Sequence, residues 1–166
     1  MSLSAHFYAT KEWQYARSVV NNHSIIDVGN ESLGRAVRTV VVKGRPVSVG
    51  ASSASRSHWK NQVAAAASAV FPAPLVETDL KITITFFYNN PPDFDTDNIS
   101  KPICDALKGI AYSDDSQLME RHARRRDLNG SFHIKGVEPS VAVAIAEGEE
   151  FVSIKIEIIG AGVAVI

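Results

Sequence analysis

The chain has 166 residues, of which 45% are apolar and 21% are charged, and its formal net charge is −1. This composition excludes wholesale disorder, and the length is typical of a single domain, so we expect one domain over residues 1–166. Dedicated nucleic-acid binders are often strongly basic, and this chain is not. Any DNA-binding function therefore needs a local basic cluster.

The chain has one cysteine, Cys104, which excludes an internal disulfide and a cysteine-rich zinc site. This cysteine usage fits a reducing compartment, and we expect a cytoplasmic protein. No apolar run approaches the length of a membrane span, and the N-terminus lacks the basic-then-apolar plan of a signal peptide. We therefore expect no membrane partner.

The first half of the chain predicts a β-hairpin and a helix. β-Branched residues fill 37–50 and are interrupted by Lys43 and Gly44, which is typical of a hairpin. Apolar residues recur at helical spacing over about 55–70, with serines ahead of them as N-caps and Pro72 beyond the end.

The second half alternates strands and helices. The segment 79–88 has the β-branched and aromatic alternation of a strand, and a helix is predicted from about 98 to 108. The pattern of 117–128 fits a helix or a strand. The segment 140–166 contains at least one strand, at 151–159, and we expect a second. The predicted class is therefore α/β (α+β), with a single mixed sheet of about four to five strands and at least two helices.

An acidic segment follows the strand at 79–88. Asp95 and Asp97 are two residues apart, so in an extended segment both carboxylates leave the same face. Neighbouring carboxylates repel each other unless a cation lies between them, and carboxylate oxygens are ligands that Mg²⁺ prefers. The alternative is a polar turn in which an aspartate caps the next helix.

The predicted helix at 98–108 has one charged face. Asn98, Lys101, Asp105 and Lys108 cluster on it, opposite an apolar face. A solvated face with an i,i+4 pair between Lys101 and Asp105 would explain this pattern without a function. However, a lysine near a helix N-terminus opposes the helix dipole, which favours a negative partner such as the aspartates or a phosphate.

A second acidic pair follows this helix. Asp114 and Asp115 are adjacent, so in extended structure they point in opposite directions and only one of them needs to face a site. A loop rich in turn residues is the alternative explanation. Combined with Asp95, Asp97 and Lys101, however, the pair predicts a metal-dependent phosphodiesterase site.

The segment "DTDNISKPICDALKGIAYSDDSQL" resembles the signature of the RusA-like Holliday junction resolvases. That signature runs D-x-D-N-x-x-K-x-x-x-D-x-L, followed after a short spacer by D-D-x-Q. The resemblance covers residues 79–128, whereas about 1–50 are poorly matched. The matching positions are Asp95, Asp97, Asn98, Lys101, Asp105, Leu107, Asp114, Asp115 and Gln117.

The resemblance implies a dimeric, Mg²⁺-dependent endonuclease, with Mn²⁺ as a substitute, that acts in DNA recombination and repair. Members of this family cut four-way DNA junctions by paired symmetric nicks, and many are encoded by prophages. By the same resemblance, Asp95, Asp97 and Asp115 are the metal-binding and catalytic set, and Lys101 is the functional lysine. The expected supporting residues are Asn98, Asp105, Asp114 and Gln117.

A basic run lies just beyond the signature, and we expect it to hold DNA phosphates without reading sequence. It consists of Arg121, Arg124, Arg125 and Arg126. Arg56 and Lys60, in the predicted first helix, are weaker candidates for the same role. His58 is expected to be a surface residue and not a catalyst. His122 could face the same site, but a lone histidine in a basic run is a poor candidate for catalysis.

Two other functions compete with a nuclease. A junction-binding protein could keep the fold and lose turnover, but every position of the signature is filled. A metal-dependent phosphotransferase or glycosyltransferase could use D-x-D on a nucleotide diphosphate, but the chain lacks a G-x-x-x-x-G-K-[ST] phosphate loop.

Overall fold

The computed structural model describes residues 17–21, 24–28, 37–76, 79–131 and 133–159. The strands, in chain order, are β1 (Arg17–Asn21), β2 (Ser24–Val28), β3 (Val37–Lys43), β4 (Leu80–Tyr88), β5 (Leu118–Asp127), β6 (His133–Ile134) and β7 (Phe151–Ile158). The helices are α1 (Ser53–Val70), α2 (Thr96–Leu107) and α3 (Pro139–Glu147), and a 3₁₀ turn spans Asp115–Gln117.

Four strands form the main sheet, in the order β3-β7-β4-β5. β7 pairs antiparallel with β3 and β4, whereas β4 and the edge strand β5 run parallel. β4 lies in the interior because its β-branched and aromatic residues are buried on both faces. This mixed sheet, packed with three helices, confirms the predicted α+β class. A separate small sheet, β1-β2-β6, was not predicted.

The main sheet has two faces, which we name by the side chains of β4. The first face carries Ile82 and Ile84, and α1 and α2 pack on it around the larger hydrophobic core. The second face carries Thr83 and Phe87. α3 covers only the part of the second face where Phe87 stacks on Phe151, with ring centroids 4.5 Å apart.

α2 is amphipathic, as its sequence pattern predicted. Ile99, Ile103 and Leu107 are fully buried against the first face, whereas Lys101 and Asp105 are exposed. Burial of three large aliphatic side chains contributes several kcal/mol, at about 1.5–3 kcal/mol each. The charged face of α2 is therefore held in a fixed orientation toward the surface.

A proline ties α2 to the segment that precedes α1. Pro102 lies inside the helix and has no N–H to donate to the Asn98 carbonyl, four residues earlier. The Val49 N–H donates to that carbonyl instead, at 3.1 Å. The backbone group that the proline leaves unpaired thus anchors a neighbouring loop.

The predicted hairpin at 37–50 is wrong. β3 pairs along its whole length with β7, more than a hundred residues later in the chain. Gly44, with φ +99°, turns the chain, and its N–H donates to the Glu150 carbonyl at 2.7 Å. Pro46 has no N–H for a ladder, which disfavours a returning strand there.

The predicted second strand within 140–166 is also wrong for the described residues. The segment Pro139–Glu147 forms α3, with Pro139 at the helix start and Gly148 at its end with φ +72°. Residues 160–166 of that prediction lie outside the described residues. The segment 117–128, which the pattern left open, contains β5. Within the described ranges, none of the helices combines the length and apolar character needed to cross a bilayer.

Candidate active site

A cleft of about 260 Å³ opens on the first face, between α2, the 3₁₀ turn and β5. It brings together five of the residues that the sequence singled out, from three separate segments. These residues are Asp97, Lys101, Asp105, Asp115 and Arg121, and Ile84, Ser100, Cys104, His122 and Ala123 complete the lining.

Asp95 and Asp97 are not arranged as expected for one extended segment. α2 begins at Thr96, so Asp95 is its N-cap residue with extended backbone, while Asp97 already lies in the first helical turn. The two residues therefore have different backbone conformations and do not belong to one extended segment. Asp97 lines the cleft, and Asp95 does not.

The adjacent residues Asp114 and Asp115 have different roles. The Asp114 carboxylate accepts a hydrogen bond from the Ser116 N–H at 3.0 Å and pairs with Lys108 Nζ at 2.5 Å. The hydrogen bond from Lys108 holds the pKa of Asp114 well below its usual range. Asp114 therefore closes the turn, and Asp115 is the member of the pair that lines the cleft, as the sequence led us to expect.

The buried side chain of Gln117 stabilises the 3₁₀ turn with hydrogen bonds. Its Oε1 accepts hydrogen bonds from the N–H groups of Ser113 and Asp114, at 2.7 and 2.9 Å. Its Nε2 donates to the Leu75 carbonyl at 3.0 Å. Together with the Asp114 cap these bonds form a capping box, and the D-x-x-Q spacing is its sequence signal.

Tyr112 is a positioning residue that the sequence patterns did not reveal. Its ring is fully buried, and its hydroxyl donates to the Cys104 carbonyl at 2.9 Å. Burial raises the pKa of Tyr112, so the hydroxyl stays protonated and keeps this bond. A single aromatic residue between α2 and the turn has no periodicity, which is why no pattern identified it.

The carboxylates of Asp97 and Asp115 fit a hard cation. Asp115 Oδ1 is buried and has no hydrogen-bond partner among the described residues, and a carboxylate oxygen in that state is costly unless a cation or donor approaches it. Mg²⁺ often takes only one or two protein carboxylates and completes its shell with water and substrate phosphate. Among the described residues, no three His, Cys, Asp or Glu side chains are grouped to hold an ion. Burial raises the pKa of the Cys104 thiol, which favours its protonated form.

Two lysines converge on Asp105. Lys101 Nζ lies 3.5 Å from Asp105 Oδ1, which confirms the predicted i,i+4 pair. Lys60 Nζ, from α1, lies 3.7 Å from Asp105 Oδ2. The Lys101 side chain is 73% exposed, and pairs this open and this long stabilise a fold very little. Both ammonium groups therefore remain available to an arriving phosphate.

The basic run is divided by strand alternation. β5 pairs with β4 so that Arg121 and Arg125 stand opposite first-face residues, and Arg124 and Arg126 stand opposite second-face residues. Arg121 lines the cleft, whereas Arg124 and Arg126 line a groove on the other side of the sheet. The four arginines do not form one surface.

The remaining basic candidates have local partners. Arg125 donates to the Phe94 carbonyl at 3.0 Å, which ties β5 to the loop before Asp95. Arg56 donates to the Val49 carbonyl. His58 is exposed, and His122 Nε2 lies 3.2 Å from a carboxylate oxygen of Glu120.

The family comparison covers the whole of this site. A family model described as endodeoxyribonuclease RusA matches residues 38–146, which extend from β3 to α3. This is wider than the segment 79–128 that carries the sequence resemblance. No curated protein matches the chain significantly. Because the match covers well over half of the sequence, the chain belongs to the RusA endodeoxyribonuclease family, a family of DNA-cutting enzymes.

Proposed function

We propose that this protein is a divalent-metal-dependent endonuclease that resolves four-way DNA junctions during recombination and repair, and that it acts as a homodimer. One observation carries the proposal. Within the family match, Asp97 and Asp115 meet in a cleft beside Lys101 and Arg121, and one Asp115 oxygen is buried without a partner.

Asp97 and Asp115 would hold the metal, Mg²⁺ or Mn²⁺, with Asp95 as the third member of the set. Asp95 makes no capping hydrogen bond with its side chain, which leaves that carboxylate available two residues from Asp97. When bound, the cation polarises a phosphoryl oxygen and lowers the pKa of an attacking water. The capping box keeps the Asp115 carboxylate in the cleft before any ligand arrives, so little ordering is needed on binding.

Lys101 and Arg121 would bind the scissile phosphate. A phosphate in the cleft competes with Asp105 for the Lys101 ammonium, and the 3.5 Å exposed pair is weak enough to yield. Lys101 then neutralises charge that develops on the phosphate in the transition state. Arg121, which makes no ion pair with a described carboxylate, supplies a planar donor group for the same phosphate.

A homodimer suits this chemistry. Two clefts related by a two-fold axis present the same groups to two strands of a symmetric junction, which paired nicks require. Lys101 and Arg121 in each cleft would hold the phosphates that position a strand, and the shape of the branched DNA would contribute to selection of the substrate.

A junction-cutting assay tests the proposal. A labelled synthetic four-way junction is incubated with the wild-type protein in Mg²⁺, in Mn²⁺ and in EDTA, beside Asp97→Asn and Asp115→Asn. Asp93→Asn is the matched control, because it makes the same chemical change at an exposed turn position close to Asp95. We expect paired nicks with either metal, none in EDTA, and activity only in the wild type and the control.

The contrary results are equally distinct. Tight junction binding without nicks in either metal would identify a binding protein that has lost turnover. Nicks that persist in Asp115→Asn would show that the cleft is not the active site.

A further inference from the structure

A groove of about 340 Å³ lies on the second face, on the side of the sheet opposite the aspartate cleft. Strands β3, β7 and β4 form its floor, β5 forms one side, and the segment leading into α3 forms the other. α3 covers the neighbouring apolar part of this face and leaves the groove open. Its basic lining residues are Arg124, Arg126, His133, Lys135 and Lys155.

Hydroxyl groups line the floor of the groove. Thr83 and Thr85 are only 7% and 8% exposed, although they lie on the central strand, where a buried face is normally apolar. Ser153 and Thr39 continue this polar floor across β7 and β3. Thr39 Oγ1 is buried and has no hydrogen-bond partner. A floor of this kind fits a ligand that accepts hydrogen bonds.

The groove also carries positive charge that is not neutralised. Several basic residues outside the groove pair with carboxylates, as Lys43 does with Glu147 at 2.8 Å and Lys81 with Glu120 at 3.2 Å, and in the groove Lys155 pairs with Glu157 at 3.0 Å. Arg124, Arg126 and Lys135 pair with no carboxylate of the described residues, and Glu138 is the acidic residue among those that line the groove.

The position of the Arg124 guanidinium is fixed. Its Nε donates to Thr85 Oγ1 at 3.1 Å, which holds the group against the polar floor. A charged donor fixed beside hydroxyls, with no carboxylate to satisfy it, is the arrangement that binds a phosphate.

We propose that this groove binds the phosphate backbone of a second DNA segment, one that is not being cut. The inference rests on the proposed nuclease function. Cleft and groove lie on opposite faces of the same edge strand, so a strand whose phosphate occupies the cleft does not also occupy the groove. Branched DNA presents a second duplex arm beside the one that is cut, and a single linear duplex does not, so the groove supplies a preference for junctions.

Arginines on an edge strand have another explanation, because charge on an exposed edge prevents sheets from pairing. That explanation accounts for β5 alone. It does not account for Lys135 and Lys155, which lie outside β5, or for the buried hydroxyl floor. The phosphate-binding groove accounts for all of them.

A binding measurement separates the two faces. Arg126→Gln and Lys135→Gln, singly and together, are compared with Arg121→Gln, which makes the same change on the same strand but in the cleft. Lys43→Gln controls for lost charge at a paired surface position. Affinity for a four-way junction and for a linear duplex of equal length is measured by fluorescence anisotropy in EDTA, from 50 to 200 mM salt.

The double variant is expected to bind the junction about tenfold more weakly and the linear duplex normally. The slope of log affinity against log salt should fall by about two, since each phosphate contact contributes roughly 0.9. Arg121→Gln should weaken both substrates alike, and Lys43→Gln should change neither. Lys135 lies outside the main sheet, so the single variant Lys135→Gln should fold normally, and any loss of junction affinity in it reports on DNA binding.

Several results would overturn the proposal. One is a double variant whose junction affinity and salt slope are unchanged. Another is a double variant that loses equal affinity for the junction and for the duplex. A third is a double variant that no longer forms a dimer in sedimentation, which would assign the groove to a second copy of the chain. If the wild-type protein cuts junctions and the double variant binds them normally, the proposal for the groove is wrong and the proposed nuclease function stands. A wild-type protein that binds neither DNA would overturn the proposed function and the groove together.

Discussion

Carboxylates occupy two contrasting regions of this protein. At the corner where β3 and β4 end, Glu150 accepts hydrogen bonds from Arg45 Nε and a terminal Arg45 nitrogen, at 3.0 and 2.6 Å. The N–H groups of Asn89 and Asn90 also donate to it, at 3.0 and 3.3 Å. In the cleft, by contrast, Asp115 Oδ1 is buried and receives no hydrogen bond from the part of the chain that the structure describes.

The difference in hydrogen bonding distinguishes a carboxylate that stabilises the fold from one that is available to bind a ligand. A carboxylate with every oxygen satisfied stabilises the fold, because charge-assisted hydrogen bonds are the stronger class. A buried carboxylate oxygen without a donor costs stability, and a protein keeps it only where something else binds there. Removing the charge of Glu150 should therefore reduce stability and leave DNA cutting unchanged. Removing the charge of Asp115 should abolish cutting without reducing stability.

The largest effect is expected at the cleft. Asp97→Asn and Asp115→Asn should each lower the rate of junction cutting by at least about a thousandfold, which corresponds to losing about 4 kcal/mol of charge stabilisation. The free energy of unfolding of Asp115→Asn should stay the same or rise, since an unsatisfied buried charge is removed, whereas that of Asp97→Asn should change little, since Asp97 is exposed. Single-turnover cutting and urea unfolding measure the two quantities. A large loss of stability in Asp115→Asn would contradict the contrast between the regions.

A smaller loss of cutting is expected for Asp95→Asn. Asp95 belongs to the proposed metal set but lies outside the cleft lining, so its effect should resemble that of an outer partner, about 10- to 100-fold. The rate is measured against Mg²⁺ concentration, where the variant should need more metal than the wild type. A loss as large as that of Asp97→Asn would show that Asp95 contributes to metal binding as much as Asp97 does.

A loss of about tenfold in cutting is expected when the support of Asp115 is removed. Gln117→Ala leaves the Ser113 and Asp114 N–H groups and the Leu75 carbonyl without their partner, which should cost about 2–3 kcal/mol of stability. Cutting falls because the Asp115 carboxylate is less precisely placed. Gln117→Glu is the control, since it keeps the acceptor oxygen and should lie between the wild type and the alanine variant. Equal rates in all three would show that the turn does not position the site.

The elements that the sequence predicted well are those with a strong local pattern. The helix α2 buries one consistent face, so its period is visible without knowledge of the partner, and β4 is recognised by its run of β-branched and aromatic residues. β3 was assigned to a hairpin because its true partner, β7, is distant in the chain, and local patterns contain no information on long-range pairing. α3 is apolar on nearly all sides, so it lacked a helical period.

The same reasoning applies to the site. The residue types and their spacing indicated Asp97, Lys101 and Asp115, and the structure gathers them in one cleft. Asp95 and Asp97 were expected to lie in one extended segment, but α2 begins two residues before its predicted start and includes Asp97 in its first turn, since helix starts are uncertain by one or two residues. The sequence could not predict that the arginine run is divided between the two faces of the sheet, since the pattern of 117–128 fitted a helix as well as a strand.

The smallest effect on cutting is expected at the Glu150 corner, where Glu150→Gln should lower the free energy of unfolding by about 2 kcal/mol and leave cutting unchanged. The hydrogen bond from Arg45 lowers the pKa of Glu150 below its usual value, so the folded state binds this proton less readily than the unfolded state. Its contribution is therefore complete above the unfolded carboxyl pKa of about 4.3 and is lost as the pH falls through the folded value. Urea unfolding of both proteins between pH 7 and pH 3 measures this. The two stabilities should differ most at pH 7 and converge in acid, and a constant difference would show that the Glu150 charge is not what stabilises the corner.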